Sequence, residues 1–406
     1  MVLLFTLLDY IFIIVLEPGF LNKLFCISLG GFFVSKIFVT GITGLLGSAF
    51  SAMLLERSDD IQIIALARGS DFCSAKDRVS QIMREQCAFD GKPELADSII
   101  KRIKTIDGEI LSVDEKSLFK KLKGVDVFFH CAADVNFGKD IEGKTLKTNY
   151  EGTRKMLALA TKLMVKSFHY VSTAYVAGKH KGIVPEDGLV AKDFNNSYEK
   201  SKFMAEQLVR SSDMPFTIYR PSIVVGRASD GKIRKPLAFY RVLEFMAKLK
   251  KHRCSKMKIS PFKTVSLNLR MKAVPSDKIY FVPIDYVQKC IVELFLNVPP
   301  CNKTYHLTGN SPVSTAMIGV AISRALGIKG VAVEAEVENP TQDEKIVQKF
   351  LVDFLPYFSS QGVFDVKNTK KALGCPSVDW VMDTGNLERI IHGFYLDRYP
   401  ELFHGR

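Results

Sequence analysis

KIFVTGITGLLGSAF, residues 36–50, joins three signals. The run from Lys36 to Thr40 is short, apolar and β-branched, and it reads as a strand. Gly41, Gly44 and Gly47 follow at three-residue intervals, and the apolar stretch from Leu45 opens a helix. Glycines permit a tight turn and close backbone approach to a ligand, and a helix N-terminus offers unpaired N–H groups to a pyrophosphate. The spacing is G-x-x-G-x-x-G rather than G-x-G-x-x-G, so the strand–loop–helix setting carries the nucleotide reading.

The same alternation continues outward. Apolar runs at 36–40, 61–66, 102–106, 125–130, 167–172 and 215–220 are separated by helix-length segments, notably 44–57, 144–164 and 197–212. Strands alternating with helices form a parallel sheet covered on both faces, and right-handed crossovers make it doubly wound. The expected fold is therefore α/β of the Rossmann type over 36–226. After 226 the rhythm stops. A smaller substrate-facing lobe is expected over 227–406, with sheet-completing segments around 281–310.

The 406 residues suit one large domain or two closely joined ones. Eight cysteines show no C-x-x-C spacing, which argues against a zinc site or a disulfide framework and for a reducing, cytoplasmic setting. The formal net charge is +13, and most of the excess sits in 232–278, where the only acids are Glu244 and Asp277. Such a block is either a solvated face or an attractor for a phosphate-bearing substrate, an acidic carrier protein or an anionic membrane. No nucleic-acid motif accompanies it, so nucleic acid is not expected. Residues 1–35 are an apolar extension. The run 2–16, broken by EPG at 17–19 and followed by LFCISLGGFFV at 24–34, is too short in each piece for a spanning helix and lacks a basic leader. It reads as a membrane-associating hairpin or as residues upstream of a true start near Val34.

The second strand ends in Arg68 with no acid nearby, and a guanidinium suits a 2′-phosphate. NADP(H) is thus expected over NAD. Two Tyr-x-x-x-Lys spacings occur, Tyr175/Lys179 and Tyr198/Lys202. Only the second lies in a helix-forming stretch, NSYEKSKFMAEQLV (196–209), where residues four apart share a face. Gly178 interrupts the first. Reduction of a carbonyl needs a proton source and polarisation of the oxygen. A tyrosine beside an ammonium, with a threonine hydroxyl from VSTAYVAG (171–178), supplies both, the lysine lowering the phenol pKa.

Together TGITGLLG, HCAADVNF, TNYEGT, VSTAYVAG, YEKSK and YRPSIVVG resemble the extended short-chain dehydrogenase/reductase superfamily over roughly 36–310. The H-x-A-A-x-V-x-F form of the fourth motif is similar to the thioester-reductase branch, which includes fatty acyl-CoA reductases and the terminal reductase domains of peptide synthetases and carboxylic acid reductases. LPYFSSQGVFDVKNTKKAL (355–373) is loosely similar to that branch's tail. The resemblance implies catalytic roles for Thr173, Tyr198, Lys202 and Asn149. It implies cofactor contacts from Gly41, Thr43, Gly44, Leu45 and Gly47, from Arg68, from Glu109 and Ile110, and from Cys131, Ala132 and Ala133. Tyr198, Lys202, Pro221 and Ile223 complete that set. Glu109 stands where the branch usually has Asp, which puts its adenine contact in question. The implied reaction is NADPH-dependent reduction of an acyl thioester, on coenzyme A or an acyl carrier protein, to aldehyde or alcohol. The same residues would serve a sugar-nucleotide epimerase or dehydratase or a hydroxysteroid-type dehydrogenase. A non-catalytic dinucleotide sensor is the other alternative, disfavoured because Tyr198 and Lys202 are both kept.

Overall fold

Seven strands pair in parallel: β1 (Lys36–Thr40), β2 (Gln62–Ala67), β3 (Ile103–Asp107), β4 (Val127–His130), β5 (Ser167–Val171), β6 (Phe216–Pro221) and β7 (Lys303–Leu307). Their spatial order is β7-β6-β5-β4-β1-β2-β3. The order reverses between β1 and β4, and ligand crevices of doubly wound sheets open beyond the carboxyl ends of strands at such a point. The computed structural model describes residues 2–7, 10–15, 35–138, 140–237, 239–352, 354, 357, 362–374 and 379–403.

Four helices frame the crevice: α1 (Leu45–Arg57), α2 (Ala75–Phe89), α3 (Gly152–Lys162) and α4 (Ser197–Arg210). The helix expected over 144–164 is interrupted, because Lys147–Glu151 forms a π turn between a short helical turn and α3. Such turns inside helices are frequent at functional sites. The central strands are apolar at successive positions because both faces are covered there. On β4, Phe128 packs with Phe38 and Phe168 on one face, while Phe129 stacks on Phe50 of α1 at 3.7 Å on the other.

The segment 281–287 does not extend this sheet. Phe281–Pro283 pairs with Ile223–Val225 in a separate parallel ladder, and Ile284–Asn297 is a helix that Pro283 precedes at the cap position. Proline has no N–H for a further ladder bond, and its fixed φ suits a helix entry. β7 completes the sheet instead. The remaining lobe is built on α5 (Phe239–Met257), helices Thr315–Leu326 and Thr384–Arg398, and the paired strands Val265–Lys272 and Ile328–Glu334. Its buried core of Tyr240, Leu243, Ile318, Ile322 and Phe394 is continuous with Leu45 and Ala49 of α1.

Residues Met1–Val34 and Ser35–Arg406 are separate compact units. In the first, Val2–Leu7 and Tyr10–Val15 pair as antiparallel strands. The EPG break and the apolar stretch 24–34 lie outside the described residues. No helix among the described residues is long and apolar enough to cross a membrane.

Candidate active site

The glycine turn after β1 is packed against the turn after β4. Gly41 has φ +80°, and a Cβ there would sit 2.6 Å from the Ala132 nitrogen. A Cβ on Gly47 would meet the Gly41 carbonyl oxygen at 2.1 Å, so α1 approaches the turn as closely as backbone allows. Gly44 caps α1, and the first turn of that helix holds no acidic side chain. These features fit a dinucleotide pyrophosphate at the N-terminus of α1. His130, at the end of β4, fixes the crevice floor: Nδ1 lies 2.6 Å from the Thr40 hydroxyl and Nε2 3.0 Å from that of Thr153. Burial, with the Lys202 charge adding to it, pushes His130 down to about 3, so the ring is neutral.

A cavity of about 410 Å³ opens at this point. Of the residues expected to act, Gly44, Leu45, Cys131, Ala133, Thr173, Tyr198, Lys202, Pro221 and Ile223 line it. α4 presents Tyr198 and Lys202 from one face, and its N-terminus is held by the Asn196 side chain, which accepts from the Glu199 N–H at 3.0 Å. Lys202 Nζ donates to the Val171 carbonyl at 2.6 Å and lies 4.2 Å from the centre of the Tyr170 ring. Burial lowers Lys202 to about 8, opposed by Cys131 and Glu206. Burial pushes the Tyr198 phenol up to about 12, against the opposing hydrogen bond from Thr173. The lowered phenol that the sequence suggested is thus not what this geometry gives, because burial outweighs the Thr173 hydrogen bond. Thr173 reaches the Pro221 carbonyl at 3.5 Å and accepts from the Tyr175 N–H at 3.3 Å.

Asn149 lies in the π turn beneath these groups and does not line the cavity. Its Nδ2 donates to the Asp134 carbonyl at 3.0 Å and to Ser201 Oγ at 2.9 Å, while its Oδ1 accepts from the Asp134 N–H at 2.8 Å. It therefore ties the turn after β4 to α4, one residue from Lys202. The other Tyr-x-x-x-Lys pair is dispersed: Tyr175 is in the 3-10 turn Ala174–Ala177, Gly178 has φ +53°, and Lys179 pairs with Asp193 at 2.9 Å.

Arg68 and Glu109 meet at the carboxyl ends of β2 and β3, outside this cavity, and Arg68 Nη1 donates to Glu109 Oε1 at 2.9 Å. Ile110 is buried in the core, where a Cβ on Gly152 would touch its Cγ2 at 2.9 Å. Thr43 and Ala132 belong to the two turns that meet at the crevice and do not line the cavity.

Several residues here were not legible in the sequence. Arg78, on α2, donates to the Arg68 carbonyl at 2.9 Å and brings a second guanidinium to that corner. Arg234 donates to Ser48 Oγ at 2.7 Å, to Gln86 Oε1 at 3.0 Å and to the Gly44 carbonyl at 3.3 Å, bracing the phosphate loop. Lys235 lines the cavity, and burial beside Arg234 and Arg78 lowers its pKa. Behind β5, Glu206 accepts from Ser172 Oγ at 2.7 Å, from Arg210 Nε at 2.9 Å and from Arg220 Nε at 3.1 Å. Arg220 also contacts His306 Nε2 at 3.1 Å. The basic segment 232–278 is not one face. Arg234 and Lys235 turn inward, Lys250 is buried and donates to the Leu326 carbonyl, and Lys251, Arg270 and Lys272 pair with Glu401, Glu344 and Glu336. Arg241, Lys248, Lys256 and Lys258 remain exposed.

Residues 39–291 match the family described as male sterility protein, an NAD-binding family. The chain belongs to that family. Membership puts it among NAD(P)-binding oxidoreductase domains of the extended short-chain dehydrogenase/reductase type. It is similar to the nonribosomal peptide synthetase asaC of Aspergillus flavus, 24% identical over 369 residues, which cover 83% of this chain and 34% of that protein. It is also similar to fatty acyl-CoA reductase 2 of Homo sapiens, 26% identical over 223 residues, covering 47% of this chain and 43% of the other. Like these two, the first curated relatives are longer proteins of which this male sterility-family chain spans less than half. Among solved structures it is similar to the terminal R domain from the myxalamid PKS–NRPS biosynthetic pathway, with a TM-score of 0.70, 25% identity, and coverage of 90% of this chain and 91% of that one. The UDP-glucuronic acid 4-epimerase of Bacillus cereus, at 17% identity and TM-score 0.60 over 90% of this chain and 98% of that one, shares the fold.

Proposed function

We propose that this chain reduces acyl thioesters with NADPH, releasing the thiol and forming an aldehyde. The observation that carries the reading is the meeting of Thr173, Tyr198 and Lys202 on one cavity that also reaches Gly44 and Leu45 of the phosphate turn, in a chain similar to peptide synthetases and fatty acyl-CoA reductases. A dinucleotide held at the turn of Gly44 and Leu45 would supply the hydride for the thioester carbonyl. The chain's own part is electrostatic and acid–base. The Thr173 and Tyr198 hydroxyls hold the oxygen that becomes anionic, and a protonated Tyr198 is the proton donor at neutral pH, as its raised pKa favours. Lys202 keeps a positive charge beneath the site at neutral pH. Asn149 sets α4 against the turn after β4. The apolar wall of Leu46, Phe137, Leu237, Phe239 and Phe281 excludes water and suits an acyl group.

NADPH over NADH is supported by Arg68 and Arg78 at the far end of the crevice and by the absence of an acid at the end of β2. A carrier protein or coenzyme A as the thiol partner is supported by the exposed Arg241, Lys248, Lys256 and Lys258, which offer complementary charge. Charge reversal at Lys248, Lys256 and Lys258 is expected to raise KM for a carrier-bound acyl group while sparing a short pantetheine thioester. The reading itself is tested by mixing the protein with NADPH and an acyl thioester and quantifying free thiol and aldehyde. Both should appear in proportion to the NADPH consumed. Reduction of no thioester, with turnover of a UDP-sugar instead, would replace the reading by the sugar-nucleotide one that shares this fold.

A further inference from the structure

Lys235 lines the cavity together with Gly44, Leu45 and Leu46, where α1 begins. It comes from the lobe rather than from the glycine turn, and its neighbours in sequence fix it there. Ile233 is buried in the lobe core. Arg234 donates to the Gly44 carbonyl, to Ser48 and to Gln86, which pins this stretch to the start of α1 and to α2. From the other side Arg398, the last residue of the helix Thr384–Arg398, donates to the Ile233 and Arg234 carbonyls at 3.4 Å each. Pro236 follows Lys235, and a residue before proline is restricted to extended backbone.

The Lys235 side chain itself has nothing to bind. It is exposed, and it has no hydrogen-bond acceptor or carboxylate partner among the described residues. The charges that bear on it are those of Arg234 and Arg78, both positive. Arg234 has Glu85 at 3.7 Å, and Arg78 has the Arg68 carbonyl at 2.9 Å. Lys235 has neither. Like charges held close together repel, and an anion placed among them removes that cost. The first turn of α1 adds unpaired N–H groups and no acidic side chain to the same space.

We propose that Lys235 is a cofactor-binding residue contributed by the lobe, its ammonium pairing with the pyrophosphate of a dinucleotide held at the start of α1. The inference rests on the dinucleotide reading of the glycine turn and adds to it a contact from outside the Rossmann half. The pyrophosphate is favoured over the 2′-phosphate because the cavity that Lys235 lines reaches Gly44 and Leu45 but not Arg68. It is favoured over a phosphate of coenzyme A because Arg234 ties this stretch to the phosphate turn itself. NADH and NADPH share the pyrophosphate, so Lys235 serves both, whereas Arg68 discriminates between them.

The test titrates the full chain, wild type, Lys235→Met and Lys235→Arg, with NADPH and with NADH by cofactor fluorescence at low and high salt. Lys235→Met keeps the apolar stem and removes the charge. It is expected to weaken both cofactors by roughly tenfold and to flatten the salt dependence of binding, while Lys235→Arg keeps most of the affinity. The Tm of the free Lys235→Met protein should be unchanged or raised, since the charge removed has only cationic neighbours. Unchanged affinity for both cofactors would overturn the proposal, and so would a lowered Tm of the free variant. A loss confined to NADPH would overturn it in favour of the 2′-phosphate. Unchanged cofactor binding with a raised KM for an acyl-CoA would overturn it in favour of the substrate's phosphates. Wild-type protein that binds neither cofactor would overturn the dinucleotide reading, and the proposal with it.

Discussion

The Arg68 guanidinium lies 2.9 Å from the Glu109 carboxylate, so the cation at the end of β2 already has an anionic neighbour at the end of β3. Both side chains are largely exposed, and exposed pairs contribute little to stability. A 2′-phosphate entering this corner competes with Glu109 for Arg68 and gains Arg78 beside it. Glu109→Gln is therefore expected to tighten NADPH binding by a few-fold, and Arg68→Ala to weaken it by about tenfold, a difference of ~1.4 kcal/mol. NADH binding should change little in either variant. Titration of cofactor fluorescence measures all four constants.

Lys202 predicts a basic limb in the pH–rate profile. Its pKa in the folded protein is lowered to about 8, so its charge is lost as pH rises through that value, and reductase activity should fall with it. The stability effect has the opposite sign. Below about 8 the lysine is charged in both the folded and unfolded chains, and the burial penalty is fully present. Between about 8 and 10.5 the unfolded chain holds the proton that the native one has shed, so this contribution improves as pH rises. Lys202→Met should abolish most activity yet raise stability at pH 7 by ~1–3 kcal/mol, a gain that fades by pH 10. Urea unfolding at the two pH values measures it.

Three buried histidines make the fold acid-labile. Burial lowers His130, His169 and His306 to about 3 each, so the native rings stay neutral where the unfolded ones charge. Their contribution is intact above pH 6.5 and is lost as pH falls from there toward 3. Three such groups weaken the native state by roughly 4 kcal/mol per pH unit in the middle of that window. Unfolding at pH 5 should bind close to three protons onto these rings, and calorimetry in two buffers of different ionisation enthalpy counts them. Uptake that does not fall in the triple variant with glutamine at these positions would contradict the assignment.

Glu206 is the anion for two arginines and the acceptor for Ser172, the residue before Thr173. Burial alone would raise its carboxyl, but Arg220, with Arg210 and Ser172 adding to the effect, holds it below the usual range. Glu206→Gln leaves buried cations uncompensated and is expected to destabilise the protein by ~3–5 kcal/mol. A smaller double-variant cost for Glu206→Gln with Arg220→Met than for the single change would show the coupling.

The central strands were legible because both sheet faces are covered there, which writes them as apolar runs such as VDVFFH. The phosphate turn was legible because Gly41 and Gly47 face backbone at 2.6 and 2.1 Å, where no side chain fits. Thr173, Tyr198 and Lys202 could be ordered along the chain but not oriented. The hydrogen bond from Lys202 to Val171 and the burial that raises the Tyr198 phenol depend on tertiary packing around α4, which no local pattern records. Arg234 and Lys235 read as part of a charged surface block, and their inward turn follows from the lobe closing on α1. The helix boundary at Asn149 was missed because a π turn leaves the apolar spacing almost unchanged.

The most direct test follows NADPH oxidation with an acyl thioester by the wild-type protein and by Tyr198→Phe, with NADPH binding measured for both. The account predicts thioester-dependent oxidation by the wild type, a loss of at least ~100-fold in kcat for the variant, and similar cofactor affinity in the two. Equal turnover by Tyr198→Phe would contradict it.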